Sequence, residues 1–279
     1  MPGTLSVVVT TYQAPRALAC VLAGLSRQSE APLEILIADD GSTEETLDVI
    51  ESWREHLPAP LHRIWHEDLG YRKATIVNNA VARARGDYIA FLDGDTIPHR
   101  HWVKDHRRAS GPRRVLCGRR GRLGPRITPT IEPDFVAAGG LEASFGSIGR
   151  SARTRDSRKL ARSIRLPLPL SWIIGLKPRR LMGCNFSLPR EAFVAINGYD
   201  EEFNIYWGED RELAARLKRL GMRMVPIINR ACVFHLHHPE FPMSADMHAR
   251  RNAKIASDRV RCELGMDARA HEGHGSLRS

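Results

Sequence analysis

An open α/β fold is predicted for this chain, with a mostly parallel central sheet covered by helices on both faces. Three observations predict it. Short, near-continuous apolar runs rich in β-formers alternate with segments whose apolar residues recur every three or four positions. The runs lack the apolar–polar alternation of a half-exposed strand, as expected where both faces of a parallel sheet are covered. Polar residues gather where the runs end, at Thr10-Thr11-Tyr12, Asp39-Asp40 and Asp93-Gly94-Asp95. In such a sheet those ends share one edge and face the crevice in which ligands bind.

Residues 5–10 (LSVVVT) form the first strand. A helix over 14–28 follows, with Leu18, Val21, Leu22 and Leu25 on one face at i, i+3, i+4 and i+7. Residues 34–38 (EILIA) read as a second buried strand, 43–54 as a helix and 61–66 as a third strand. The helix over 72–85 carries Ile76, Val77, Ala80, Val81 and Ala84. The run 88–92 (YIAFL) is too short for a buried helix and is the fourth strand. From 111 to 182 Pro, Gly and Arg dominate, which predicts a basic, loop-rich insertion. Patterning returns at 185–188, with a short helix over 190–196 and a turn at Asn197-Gly198-Tyr199-Asp200. A helix over 209–220, with Leu213, Leu217 and Leu220 on one face, ends at Gly221. Strands over 223–228 and 231–234 and a basic helix over 244–264 complete the pattern.

The 279 residues are 42% hydrophobic and 27% charged, ordinary for a globular protein. No run approaches the roughly 18 apolar residues of a membrane span, and Met1 to Thr4 lead straight into a strand without a signal peptide, so a cytoplasmic protein is expected. Five cysteines without CxxC spacing argue against a zinc ribbon or a disulfide framework. The net charge of +10 is concentrated: ten Lys/Arg against Asp156 between 150 and 180 give that window +9. Such a field attracts nucleic acid, an anionic lipid surface or a phosphorylated substrate, unless the window is simply a solvated insertion. No RNA- or DNA-binding signature accompanies it, so no nucleic acid is expected. Two carboxylates one residue apart at a strand end suit a hard divalent cation that also holds phosphate, or else an Asp-Gly turn.

With these motifs in order, the chain resembles a family 2 glycosyltransferase of the GT-A fold. The resemblance rests on residues 6–12 (SVVVTTY), on Ala38-Asp39-Asp40-Gly41-Ser42, on Gly70-Tyr71-Arg72-Lys73-Ala74 through Asn78-Asn79-Ala80, and on Asp93-Gly94-Asp95 as a DxD motif. Ile196-Asn197-Gly198-Tyr199-Asp200 and Tyr206-Trp207-Gly208-Glu209-Asp210 are similar to the C-terminal half of galactosyl- and N-acetylgalactosaminyltransferases. The segment before Glu209-Asp210 is shorter than in many relatives.

The resemblance implies one GT-A domain over 1–265: a nucleotide-sugar half (1–110), the insertion (111–182) and an acceptor half (183–265), followed by a flexible tail (266–279). It implies inverting transfer of Gal or GalNAc from a UDP-sugar to a glycan or lipid-linked acceptor. Thr10, Tyr12, Asp39, Arg72, Asp93 and Gly94 are then the nucleotide site. Asp93, Asp95 and His235 would hold Mn2+ or Mg2+, with His237 the fallback if the strand continues. Asp210 would be the general base, and Trp207, Gly208 and Glu209 would bind sugar. The basic window, around 150–180, would suit peripheral contact with an anionic membrane. Two other readings are a HAD-like phosphohydrolase with Asp93 as nucleophile, since residues 92–96 (LDGDT) fit DxDxT, and a basic nucleic-acid or anionic-surface binding module.

Overall fold

The computed structural model describes residues 3–143, 156–174, 180–203, 208–239 and 244–269. Its main sheet has seven strands in the order β3-β2-β1-β4-β8-β6-β9. These are β1 (Leu5–Thr11), β2 (Glu34–Asp39), β3 (Leu61–Trp65), β4 (Tyr88–Asp93), β6 (Arg114–Cys117), β8 (Asn185–Pro189) and β9 (Arg223–Pro226). β3, β2, β1 and β4 run parallel; β8 is antiparallel to both β4 and β6, and β9 is parallel to β6. The expected parallel sheet is therefore the first half, joined to a mixed second half.

Alternate residues of each strand enter opposite cores, which is why the strands read as unbroken apolar runs. Val7, Val9, Ile35, Ile37, Ala90 and Leu92 pack with α1 (Pro15–Ser26), α2 (Glu44–Trp53) and α4 (Trp102–Ala109). Val8, Leu36, Ala38, Ile89 and Phe91 pack with α3 (Lys73–Arg83) and with the helices Arg190–Ala195 and Glu209–Arg219. Each such fully buried aliphatic contributes about 1.5–3 kcal/mol.

A second sheet, unforeseen in the sequence, has the order β5-β10-β7, from β5 (Thr96–Pro98), β7 (Arg120–Arg122) and β10 (Val233–His235). Three-residue strands are too short to show an alternation. This sheet sets Thr96 opposite His235 and Arg122 opposite His235 on the other side. Residues 111–182, expected to be loop-rich, thus supply a strand to each sheet. Part of the basic window is committed internally: Arg165 bonds the buried Asp105 at 2.7 Å, beside Arg230 from outside the window at 2.6 Å. Residues 150–155 and 175–179 of that window lie outside the described residues.

The last helix is Ala245–Ala256, shorter than expected, because the Ser257 hydroxyl folds back onto the Lys254 carbonyl at 2.7 Å and the chain turns extended. Met266 and Asp267, at the start of the expected flexible tail, donate their N–H groups to Asn197 at 3.2 and 2.9 Å. All five cysteines are buried and unpaired. Among the described residues no helix is long and apolar enough to cross a membrane.

Candidate active site

Register alone assembles the nucleotide side. Thr10 is the cross-strand partner of Asp93 and Thr11 that of Asp39, at the C-terminal ends of β1, β4 and β2. Asp93 Oδ1 accepts the Thr10 hydroxyl at 3.0 Å and the Lys73 ammonium at 2.8 Å. Burial pushes the Asp93 carboxyl up, but Lys73, with Arg120 and Thr10, pulls harder and holds it at about 2. Lys73 opens α3, where the helix dipole disfavours a cation; the acids facing it outweigh that cost.

Asp93-Gly94-Asp95 is a tight turn between β4 and β5, so the turn reading and the site reading of this motif coexist. Gly94 donates its N–H to the Thr10 carbonyl at 2.6 Å, and a Cβ there would lie 2.7 Å from that oxygen. No other residue fits so close an approach.

Asp39, expected in the nucleotide site, is completely buried. Its Oδ1 accepts the Ser42 N–H at 2.9 Å and its Oδ2 the Arg63 Nε at 2.8 Å. Here the carboxylate holds a loop and Arg63, and a base reaches it only if Arg63 moves aside. Arg63, which the sequence reading did not single out, also lies over the ring of Trp65. Tyr12 is exposed and donates to Asp68 at 3.0 Å. Arg72 donates its N–H to Asp40 at 3.0 Å and its guanidinium to the Glu67 carbonyl, leaving its buried Nε without a partner.

The acceptor side is the start of the Glu209–Arg219 helix. Gly208, its N-cap, has φ +126°, a conformation closed to residues with a Cβ, and this turns Glu209 and Asp210 into the crevice. Asp210 Oδ2 accepts the Gly183 N–H at 3.2 Å, and Glu209 lies 3.6 Å from Lys73. Burial first, then the Glu209 charge, push the Asp210 carboxyl up to about 6, against the pull of Gly183 and Lys73. The preceding segment is fixed to α3: Asn78 donates to the Tyr199 carbonyl and Thr75 to Glu201, at 2.9 and 2.7 Å. Trp207 lies outside the described residues.

The third group is a cluster of potential ligands. Asp95 Oδ2 stands 3.5 Å from His235 Nε2 and 3.2 Å from His238 Nε2, and the three ligand atoms lie within 4.8 Å of one another. Burial lowers His235 to about 4, so its imidazole is neutral and able to ligate. Asp93, expected in this cluster, is engaged by Lys73 instead. The fallback His237 is exposed, its backbone N–H donates to the Thr128 hydroxyl at 2.9 Å, and it is not among the residues whose ligand atoms gather at Asp95. β10 ends at His235, so strand alternation no longer governs position 237, and the chain turns His238 back. One carboxylate and two imidazoles suit a first-row divalent ion such as Mn2+ better than Mg2+, whose usual ligands are all oxygens.

Residues 6–126 match the family model described as Glycosyl transferase family 2. Residues 171–239 match the N-terminal domain of galactosyltransferase. The chain is 31% identical over 241 residues to a validoxylamine A glucosyltransferase of Streptomyces hygroscopicus subsp. limoneus, covering 80% of this chain and 51% of that protein. It is 25% identical over 274 residues to a chondroitin synthase of Pasteurella multocida, covering 92% of this chain and 27% of that protein. The chain thus spans about half the length of the first relative and about a quarter of the second. Among solved structures, S. aureus TarS 1-349 in complex with UDP-GlcNAc superposes with a TM-score of 0.61 at 15% identity, covering 95% of this chain and 69% of that one. Mannosyltransferase PcManGT from Pyrobaculum calidifontis, in complex with GDP-Man and Mn2+, superposes with a TM-score of 0.52 at 18% identity, covering 99% and 66%. At these identities the structural likeness establishes the fold, which is GT-A.

Proposed function

We propose that this chain, which belongs to the family 2 glycosyltransferases, moves a hexose from a UDP-sugar to a saccharide acceptor with inversion at the anomeric carbon. The observation that carries this reading is one lysine, Lys73, facing an ionised carboxylate at Asp93 on one side and the Glu209-Asp210 pair on the other. The acceptor hydroxyl attacks the anomeric carbon from the face opposite the diphosphate. The new C–O bond forms as the bond to phosphate breaks, UDP leaves, and the hydroxyl proton passes to Asp210. A carboxyl raised to about 6 is ionised at neutral pH, yet is a stronger base than an ordinary aspartate. Glu209 orients sugar hydroxyls, and Thr10 and Lys73 hold Asp93 for the nucleotide. A divalent cation at Asp95, His235 and His238 would stabilise the charge that develops on the leaving diphosphate.

UDP as the nucleotide is supported by the UDP-GlcNAc in the TarS complex. Gal or GalNAc as the sugar is supported by the galactosyltransferase match over 171–239. Glycosyltransferase membership leaves the phosphohydrolase and nucleic-acid readings without support. The test is calorimetry of UDP with and without Mn2+. Binding should tighten with the metal, and Asp95→Ala should lose that response while keeping the metal-free affinity. Equal UDP affinity with and without Mn2+ in the wild type would remove the metal from the reading.

A further inference from the structure

We propose that the cavity beside the Asp95–His235–His238 cluster is a subsite for a negatively charged sugar unit of the acceptor, its carboxylate or phosphate held by arginine. This deepens the function proposed above and rests on it. The cavity holds about 540 Å3, the size of a small-ligand site rather than of an ion. Arg122, Arg126 and Arg158 line it, against one acid, Asp156. Both Asp156 oxygens already accept backbone N–H groups, of Arg126 at 3.2 Å and Ile127 at 3.3 Å. Positive charge therefore dominates the lining, and a guanidinium fork matches a carboxylate or phosphate in geometry as well as in sign.

The walls are tied together. Arg122 and Arg158 exchange both backbone hydrogen bonds at 2.8 Å, and Leu123 donates to the His235 carbonyl at 2.9 Å. Across the cavity, His237 is fixed by its bond to Thr128. Thr10, Lys73, Asp93 and Asp210 do not line this space, whereas His235 and His238 do. The cavity thus shares one wall with the metal cluster and none with the nucleotide residues. A sugar anchored there by its charge lies next to the cluster without occupying the nucleotide residues, as a neighbouring unit of a charged acceptor would.

The test uses the whole chain with Mn2+ and UDP present, so that the donor site is filled. Ligand-detected NMR follows glucuronic acid, glucose 6-phosphate, glucose and inorganic phosphate against the wild type and Arg126→Gln/Arg158→Gln. Both substituted residues are exposed, so the fold should survive. The two charged sugars should bind about tenfold more tightly than glucose. Phosphate should bind more weakly than glucose 6-phosphate, and the double variant should erase the preference for charge with UDP affinity unchanged. Equal binding of charged and neutral sugars overturns the proposal, as does phosphate matching glucose 6-phosphate. A parallel fall in UDP affinity in the variant assigns the cavity to the donor diphosphate and also overturns it. A wild type that binds no UDP in the presence of Mn2+ strikes the proposed function instead, and the charged-sugar comparison still decides the cavity.

Discussion

Two aspartates feel the charge of the same lysine, and the structure moves them in opposite directions. Asp93, at the end of β4, receives the Lys73 ammonium and the Thr10 hydroxyl directly and is held at about 2. Asp210, in the first turn of its helix, accepts the Gly183 backbone N–H and stands beside the acid Glu209, and rises to about 6. Burial acts on both; the difference is who stands beside each. Environments that separate the pKa values of paired carboxyl groups also separate their roles. In the function proposed above, Asp93 is the permanent anion of the nucleotide side, and Asp210 is the group of the acceptor side that takes the proton.

The change that breaks this comparison most severely is Asp210→Asn, which keeps the size of the side chain but cannot accept a proton. General-base catalysis is worth about 10²–10⁴-fold, so kcat should fall by that order in steady-state assays with UDP-sugar affinity nearly unchanged. A rise in KM with kcat intact would mean that Asp210 binds rather than catalyses. A smaller effect follows from Lys73→Met, which leaves Asp93 without its cation. Urea unfolding should show a loss of roughly 1–3 kcal/mol. Because Lys73 lowers Asp210 as well, the acid limb of the rate profile should move to higher pH. An unmoved limb would mean that the lysine serves only the nucleotide side.

What could be read in advance divides along the same line. β1, β2, β4, α1 and α3 were legible because each buries a long apolar run or stripe, and register then delivered Thr10, Asp39 and Asp93 to one edge. The small sheet was not legible, and with it went His238: strand alternation offers His237 as the fallback to His235, but the strand stops at His235 and His238 is the histidine that joins it. The motif around Lys73 does not by itself assign the lysine a role, although a lysine at a helix N-terminus is a signal that an anion faces it. Arg63 acts on Asp39 from the neighbouring strand and Arg120 acts on Asp93 from the small sheet, and no local pattern announces such long-range pairs. Asp210 was found from its motif, but its elevation depends on burial and on Glu209, which only the fold sets.

The most direct test of the opposed carboxylates is the pH dependence of kcat/KM, measured for the wild type and for Glu209→Gln. Asp210 must be ionised to act, so activity should fall as pH drops through about 6. Glu209→Gln removes a charge that raises Asp210, so its acid limb should lie at lower pH. A wild-type limb near the ordinary aspartate value of about 3.9, or one that Glu209→Gln leaves in place, would contradict the account.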